Sequence, residues 1–193
     1  IWLVDLERGT PTRLVSDGML GAWSADGSRV MYTVRRDADS EISVRSVSGS
    51  EESALLRTGE MKISGNWSPD GRYFSYASSN PETRLDLWLL EHGETGTTPR
   101  AFLKSPANEM QPQISPDGRW IAYASDETGT WEVYVQSFPT PGQKRTLSAG
   151  GGAQPEWRRD GRELFFVAPD GALMAIDVRA TPTTLEASRP KRL

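Results

Sequence analysis

The chain carries one histidine, His92, and no cysteine. A Ser–His–Asp relay needs an imidazole to take and return the proton, so any such relay must run through His92. That residue sits in Leu90-Glu-His-Gly-Glu-Thr-Gly96, which reads as a hairpin between two outer strands, and no Gly-x-Ser-x-Gly elbow accompanies it. An exposed turn histidine is the expectation. Without cysteine there are no thiolate nucleophiles, disulfides, Cys-type zinc sites or iron–sulfur centres, and one histidine rules out a His-rich metal site. No catalytic residue, metal site or cofactor is expected. Paired carboxylates are the remaining source of acid–base chemistry. Asp37, Asp39 and Glu41 form the tightest group, spaced like the start of a calcium loop, but Gly is missing from the sixth position and Glu from the twelfth. They read as a solvated loop between strands. Gly150-Gly-Gly152 precedes neither a helix nor a Lys-Ser/Thr pair, so it reads as a flexible connection rather than a phosphate loop. Asn66-Trp-Ser68 matches a glycosylation triplet, discounted because it falls in an inner strand.

The elements that position these residues follow from a repeat. Trp23-Ser-Ala-Asp26-Gly27 recurs as Trp67-Ser-Pro-Asp70-Gly71, as Ile114-Ser-Pro-Asp117-Gly118 and as Trp157-Arg-Arg-Asp160-Gly161, with the Asp-Gly pairs 44, 47 and 43 residues apart. Pro presets φ for a tight turn, Gly accepts positive φ, and Asp accepts backbone hydrogen bonds. The four aspartates are therefore turn residues rather than catalytic acids, and the repeat tryptophans are core or inter-blade packing rather than a stacking platform for bases. Arg158-Arg159 stands where two other copies have Ser-Pro.

Each unit reads as four strands. In the third these are Gln111–Ser115, Arg119–Ser125, Trp131–Phe138 and Lys144–Ser148. The second strand is informative: Ala122 and Ala124 share one face, Ile121 and Tyr123 the other. Bulky residues on one face and small apolar ones on the other suit a sheet sandwiched between two neighbours. A β-sandwich strand usually keeps one solvent face. The period therefore favours an all-β fold, a β-propeller of four-stranded antiparallel blades. No stretch has helical apolar spacing. Residues 1–16 form a partial blade, 19–58, 63–104 and 109–148 full blades, and 153–193 a last blade with three clear strands and a weak tail, Thr184 to Leu193. About four and a half blades are present. We expect a fragment of a larger propeller, with ring closure supplied by sequence on both sides.

Composition narrows the partners. With 193 residues, 36% apolar and 25% charged, the chain is globular. Its net charge of −4 and lack of a basic stripe argue against nucleic acid. No apolar run approaches the ~20 residues of a membrane span.

The Trp/Ile-Ser-Pro-Asp-Gly-Arg repeat resembles the WD-like repeat of the TolB propeller family over nearly the whole chain. Glu109-Met-Gln-Pro-Gln-Ile-Ser-Pro-Asp-Gly-Arg-Trp-Ile-Ala-Tyr-Ala-Ser-Asp-Glu-Thr-Gly129 and Gly151-Gly-Ala-Gln-Pro-Glu-Trp157 further resemble the C-terminal propeller of bacterial serine/threonine protein kinases. That resemblance implies a sensing or interaction module following a kinase domain and a membrane segment or linker, on the extracytoplasmic side of a membrane-anchored bacterial protein. No kinase motif is in this chain, so no kinase activity is implied for it. A TolB-like periplasmic scaffold and the gating propeller of a prolyl-oligopeptidase-like hydrolase are the alternatives. By analogy with propellers, partners dock where the fourth-to-first and second-to-third strand loops cluster. Here that face holds Arg35, Arg36, Asp37 and Asp39; Glu60 and Met61; Glu82 and Arg84; Asn108, Glu109 and Met110; and Asp126, Glu127 and Thr128. Mixed charge with two methionines suits a protein or peptide partner, with a small ligand as the lesser option; ordinary solvated loops are the competing reading.

Overall fold

The computed structural model describes residues 1–93, 96–181 and 183–193. All helical or extended structure among them is strand, so no helix is long and apolar enough to cross a membrane. The Asp-Gly turns build the hairpins. Ser24 Oγ donates to Asp26 Oδ1 (2.5 Å) and accepts from Arg29 N (3.0 Å), while Gly27, at a φ of 69°, donates its N–H to Ser24 O (2.9 Å). The same bonds recur around Ser68-Asp70-Gly71 and Ser115-Asp117-Gly118. Donation from the Ser24 and Ser28 hydroxyls holds the Asp26 carboxyl well below the usual carboxylate range. In the fourth copy Arg158 reaches Glu163 (2.5 Å) instead, and Asp160 still accepts from Arg162 N (3.0 Å).

β1 (Trp2–Val4) and β2 (Pro11–Arg13) pair alone. Three four-stranded antiparallel meanders follow. The first is β3 (Gly18–Trp23), β4 (Arg29–Arg36), β5 (Asp39–Ser46) and β6 (Glu52–Thr58). The second is β7 (Lys62–Trp67), β8 (Tyr73–Asn80), β9 (Arg84–Gly93) and β10 (Gly96–Leu103). The third is β11 (Glu109–Ile114), β12 (Trp120–Ser125), β13 (Glu132–Ser137) and β14 (Lys144–Thr146). The last sheet has β15 (Ala153–Trp157), β16 (Glu163–Val167) and β17 (Leu173–Ala180), with its outer position split between β18 (Leu185–Ala187) and β19 (Lys191–Arg192), both antiparallel to β17. The tail that read as weak is thus an interrupted outer strand.

The innermost strands β3, β7, β11 and β15 lie side by side in that order. β12 is buried along its whole length. Its small face, Ala122 with Trp120, packs against Trp157 and Leu164 of the fourth sheet. Its bulky face, Ile121 and Tyr123, packs against Tyr73, Leu87 and Leu89 of the second. Polar pins add register. Asn66 donates to Ile114 O (3.0 Å) and accepts from Ile114 N (2.7 Å) across one junction, and Trp157 Nε1 donates to Gln113 O (2.9 Å) across the next. Asn66 is therefore committed to the sheet junction, as its inner-strand placement implied.

Four details depart from the sequence reading. Trp67 and Trp157 are buried, but Trp23 is 53% exposed; those two cover the inner strands of the preceding sheet, and before β3 the described residues supply only β1 and β2. Glu41 is buried within β5, where residues 41–44 are covered on both faces, and accepts from Ser43 Oγ (2.6 Å), while Asp37 stays in the turn. Gly151 and Gly152 are closely packed rather than flexible: a Cβ on Gly151 would meet Pro169 at 2.4 Å, and one on Gly152 would meet Phe166 at 2.7 Å, while Gly150 stands open. Finally, each innermost strand carries a β-bulge, with Leu20, Gln111 and Gln154 at positive φ in three of them. Gly21 and Gly65 fall within the bulges of β3 and β7, where a strand-interior glycine is the usual sign, whereas no glycine lies within those of β11 and β15. His92 is exposed near the β9–β10 connection, of which Glu94 and Thr95 lie outside the described residues.

Candidate functional site

The loops expected to share one end do so. Met61 N donates to Ser79 Oγ (2.9 Å) and Ser79 N to Met61 O (2.9 Å), tying the β6–β7 loop to the end of β8. Asn108 donates from its backbone N and from Nδ2 to the two Asp126 oxygens, each at 2.7 Å, tying the β10–β11 loop to the β12–β13 turn. Arg84, at a φ of 75°, places Nη1 4.0 Å from Asp126 Oδ2. Burial acts against ionisation of Asp126, but the Asn108 bonds and Arg84 outweigh it and hold its pKa below the usual value.

Within this end, Arg35, Arg36, Asp37, Glu60, Met61, Glu82, Arg84, Glu127 and Thr128 are exposed; Asp39, Asn108, Met110 and Asp126 are half-buried. Several charges pair among themselves. Arg57 Nε donates to Asp39 (2.9 Å) and approaches Asp37 (4.0 Å), Arg36 lies 3.7 Å from Glu52, and Lys144 pairs with Glu127. Glu109 departs from the expectation of an exposed loop residue. It is the first residue of β11 and is fully buried, bonded by Ser105 Oγ, so it cannot touch a surface partner. Burial, with the Asp86 carboxylate on β9 adding repulsion, raises its pKa to about 7.

Lys62 was missed. It occupies the position in β7 that Glu109 occupies in β11, opposite Ser78 as Glu109 is opposite Ser125. Its ammonium is buried and donates to Ser40 O (3.1 Å), Glu60 O (2.9 Å) and Thr58 Oγ1. Burial lowers its pKa. Lys62 floors two neighbouring grooves of about 190 and 230 Å³. The first is walled by Met19, Arg35, Asp39 and Met61; the second by Leu56, Glu60, Tyr76 and Trp88. Met19, Leu20 and Met61 are 56%, 51% and 52% exposed, which gives this end an apolar surface rimmed by charge. A buried lysine gives no sign in the sequence, since its ammonium is satisfied by carbonyls brought from other strands.

A family model described as TolB beta propeller domain matches residues 1–187. Among solved structures, TolB from Acinetobacter baumannii is similar with a TM-score of 0.76 at 17% identity, over 98% of this chain and 48% of that one. A TolB-assigned protein from Agrobacterium tumefaciens is similar with a TM-score of 0.76 at 19% identity, over 94% and 70%. A chain of a nidogen/laminin complex is similar with a TM-score of 0.71 at 13% identity, over 96% and 73%. These likenesses establish the propeller fold. The present chain spans about half the length of the Acinetobacter protein. No curated protein matches it.

Proposed function

Because this chain belongs to the TolB β-propeller domain family, we propose that it is a non-catalytic propeller module that docks a protein or peptide on its loop end. We further propose that it forms the C-terminal sensing part of a bacterial serine/threonine kinase-like receptor. The observation that carries the docking reading is the apolar surface of Met19, Leu20 and Met61 set among Arg35, Asp39 and Glu60. Apolar contact area supplies affinity, while the charged rim selects partners and steers their approach. The fourteen loop residues named from the sequence are proposed as this face, with Glu109 acting from beneath it. A second reading, a TolB-like scaffold, is favoured by the two TolB structures.

Photo-crosslinking from position 60, exposed beside Met61, in the source cell tests the docking. We expect a defined protein adduct that Met19→Ser/Met61→Ser removes; an adduct pattern unchanged by that variant sinks the reading. The coding sequence upstream separates the two parents. A kinase domain there supports the receptor, and a small α/β domain supports the scaffold.

A further inference from the structure

A cavity of about 830 Å³, larger than either groove at the loop end, lies at the opposite end, between the third and fourth sheets. The equivalent spaces between the first and second and the second and third sheets are about 380 and 210 Å³. The repeat itself serves as an internal control for what makes this junction different. The residue before each Asp-Gly is Ala25, Pro69, Pro116 and then Arg159. Pro69 and Pro116 lie beside the turn glycine of the next repeat, Gly118 and Gly161. Arg159 instead lines the cavity.

A second arginine is released by a change of partner. Arg72, just after the second Asp-Gly, is bound by Glu91 (2.7 Å), which stands opposite Tyr73 on the third strand. Arg162 is its counterpart in the fourth repeat, and Asp177, opposite Glu163, holds the place of Glu91. Asp177 is taken by Lys191 Nζ (2.6 Å) from the split outer strand. Arg162 is left without an ion pair among the described residues, as are Arg159 and Arg179 on the same cavity wall. The other acids there are engaged: Asp160 with Arg158 (3.2 Å), and Asp117 with Ser115 Oγ (2.5 Å) and Arg119 N (3.1 Å). With Asp160 paired to Arg158 and Asp177 to Lys191, the three guanidinium groups outnumber the one remaining carboxylate, Asp117, and their planar donor forks match carboxylate and phosphate oxygens two at a time. Trp157 and Val178 give the same cavity an apolar wall, and its size suits a small molecule.

We propose that this cavity binds a small polyanion, a ligand carrying two or more phosphate or carboxylate groups, through Arg159, Arg162 and Arg179. The site is independent of the loop-end docking face. Calorimetric titration with tripolyphosphate and with tricarballylate, in dilute buffer and at about 150 mM salt, tests it. We expect saturable binding that weakens with salt. R159A/R162A/R179A should lose about tenfold or more in affinity, since each charge-assisted bond carries about that factor. R8A/R13A/K104A removes three exposed cations elsewhere and should bind as the parent does. Binding of tripolyphosphate alone assigns phosphate chemistry, and of tricarballylate alone carboxylate chemistry. No heat with either probe, unchanged affinity in R159A/R162A/R179A, or an equal loss in both triple variants overturns the proposal. All six positions are exposed, so thermal melts of the variants should match the parent.

Discussion

Glu109→Gln should remove a pH dependence of stability that this one carboxyl imposes. Glu109 is fully buried at the start of β11. Asp86 and Glu127 oppose its ionisation, and Lys144 and the Ser105 hydroxyl favour it. The other strands against β11 bring Lys62 on β7, Tyr73 and Tyr76 on β8, Arg84, Glu91 and His92 on β9, Tyr123 on β12 and Glu156 on β15. Burial prevails and the pKa rises from 4.5 to about 7. The folded state then binds the proton more tightly than the unfolded one, so stability is full below about 4.5, falls as pH rises toward 7, and levels off above. At about 1.4 kcal/mol per pH unit, the loss reaches about 3 kcal/mol. Gln keeps the shape and stays neutral. The variant should match the parent near pH 4.5 and exceed it at pH 8 by up to about 3 kcal/mol, about 7 °C in melting temperature for a chain of this length. Urea unfolding of both proteins between pH 4.5 and 8 reads this directly. Every other titratable group is present in both, so the difference isolates Glu109. Parallel pH profiles would refute the reasoning.

The junction pins and the glycine connection give sharper mechanical tests. Asn66→Ala removes both bonds to Ile114 and leaves that backbone N–H and carbonyl without their partner, so urea unfolding should show a loss of about 2–4 kcal/mol. Gly152→Ala drives a methyl to 2.7 Å from Phe166 and 3.0 Å from the Ser148 Cβ and should cost about 1–3 kcal/mol by the same measurement. Gly150→Ala, with nothing within 4 Å but a φ of 86°, should cost only about 1 kcal/mol of backbone strain; equal losses at 150 and 152 would contradict the packing described.

The buried pair Lys62 and Glu109 shows how one register position can change its chemistry between repeats. Both open an innermost strand and face the preceding sheet, yet one is a cation held by carbonyls and a hydroxyl, the other an acid beside a second acid. Both sit directly beneath the loop face.

The repeat and its turns were legible in the chain itself. Ser-x-Asp-Gly closes its hairpin with bonds to residues at most five positions away, and the Ala122/Tyr123 alternation already implied a sheet with neighbours on both faces. Local chemistry at a fixed period needs no distant information, and its recurrence multiplies the signal. The clustering of Arg35, Met61, Arg84 and Asp126 at one end followed from the same meander. What the tertiary structure alone decided was the partner of each charged side chain. Whether Glu109 is exposed, whether Lys62 finds three acceptors, and whether Asp177 binds Arg162 or Lys191 all depend on residues brought together from separate strands. A local pattern carries strand direction and face; the field at a carboxyl or guanidinium is a sum over neighbours that only the packed sheets assemble.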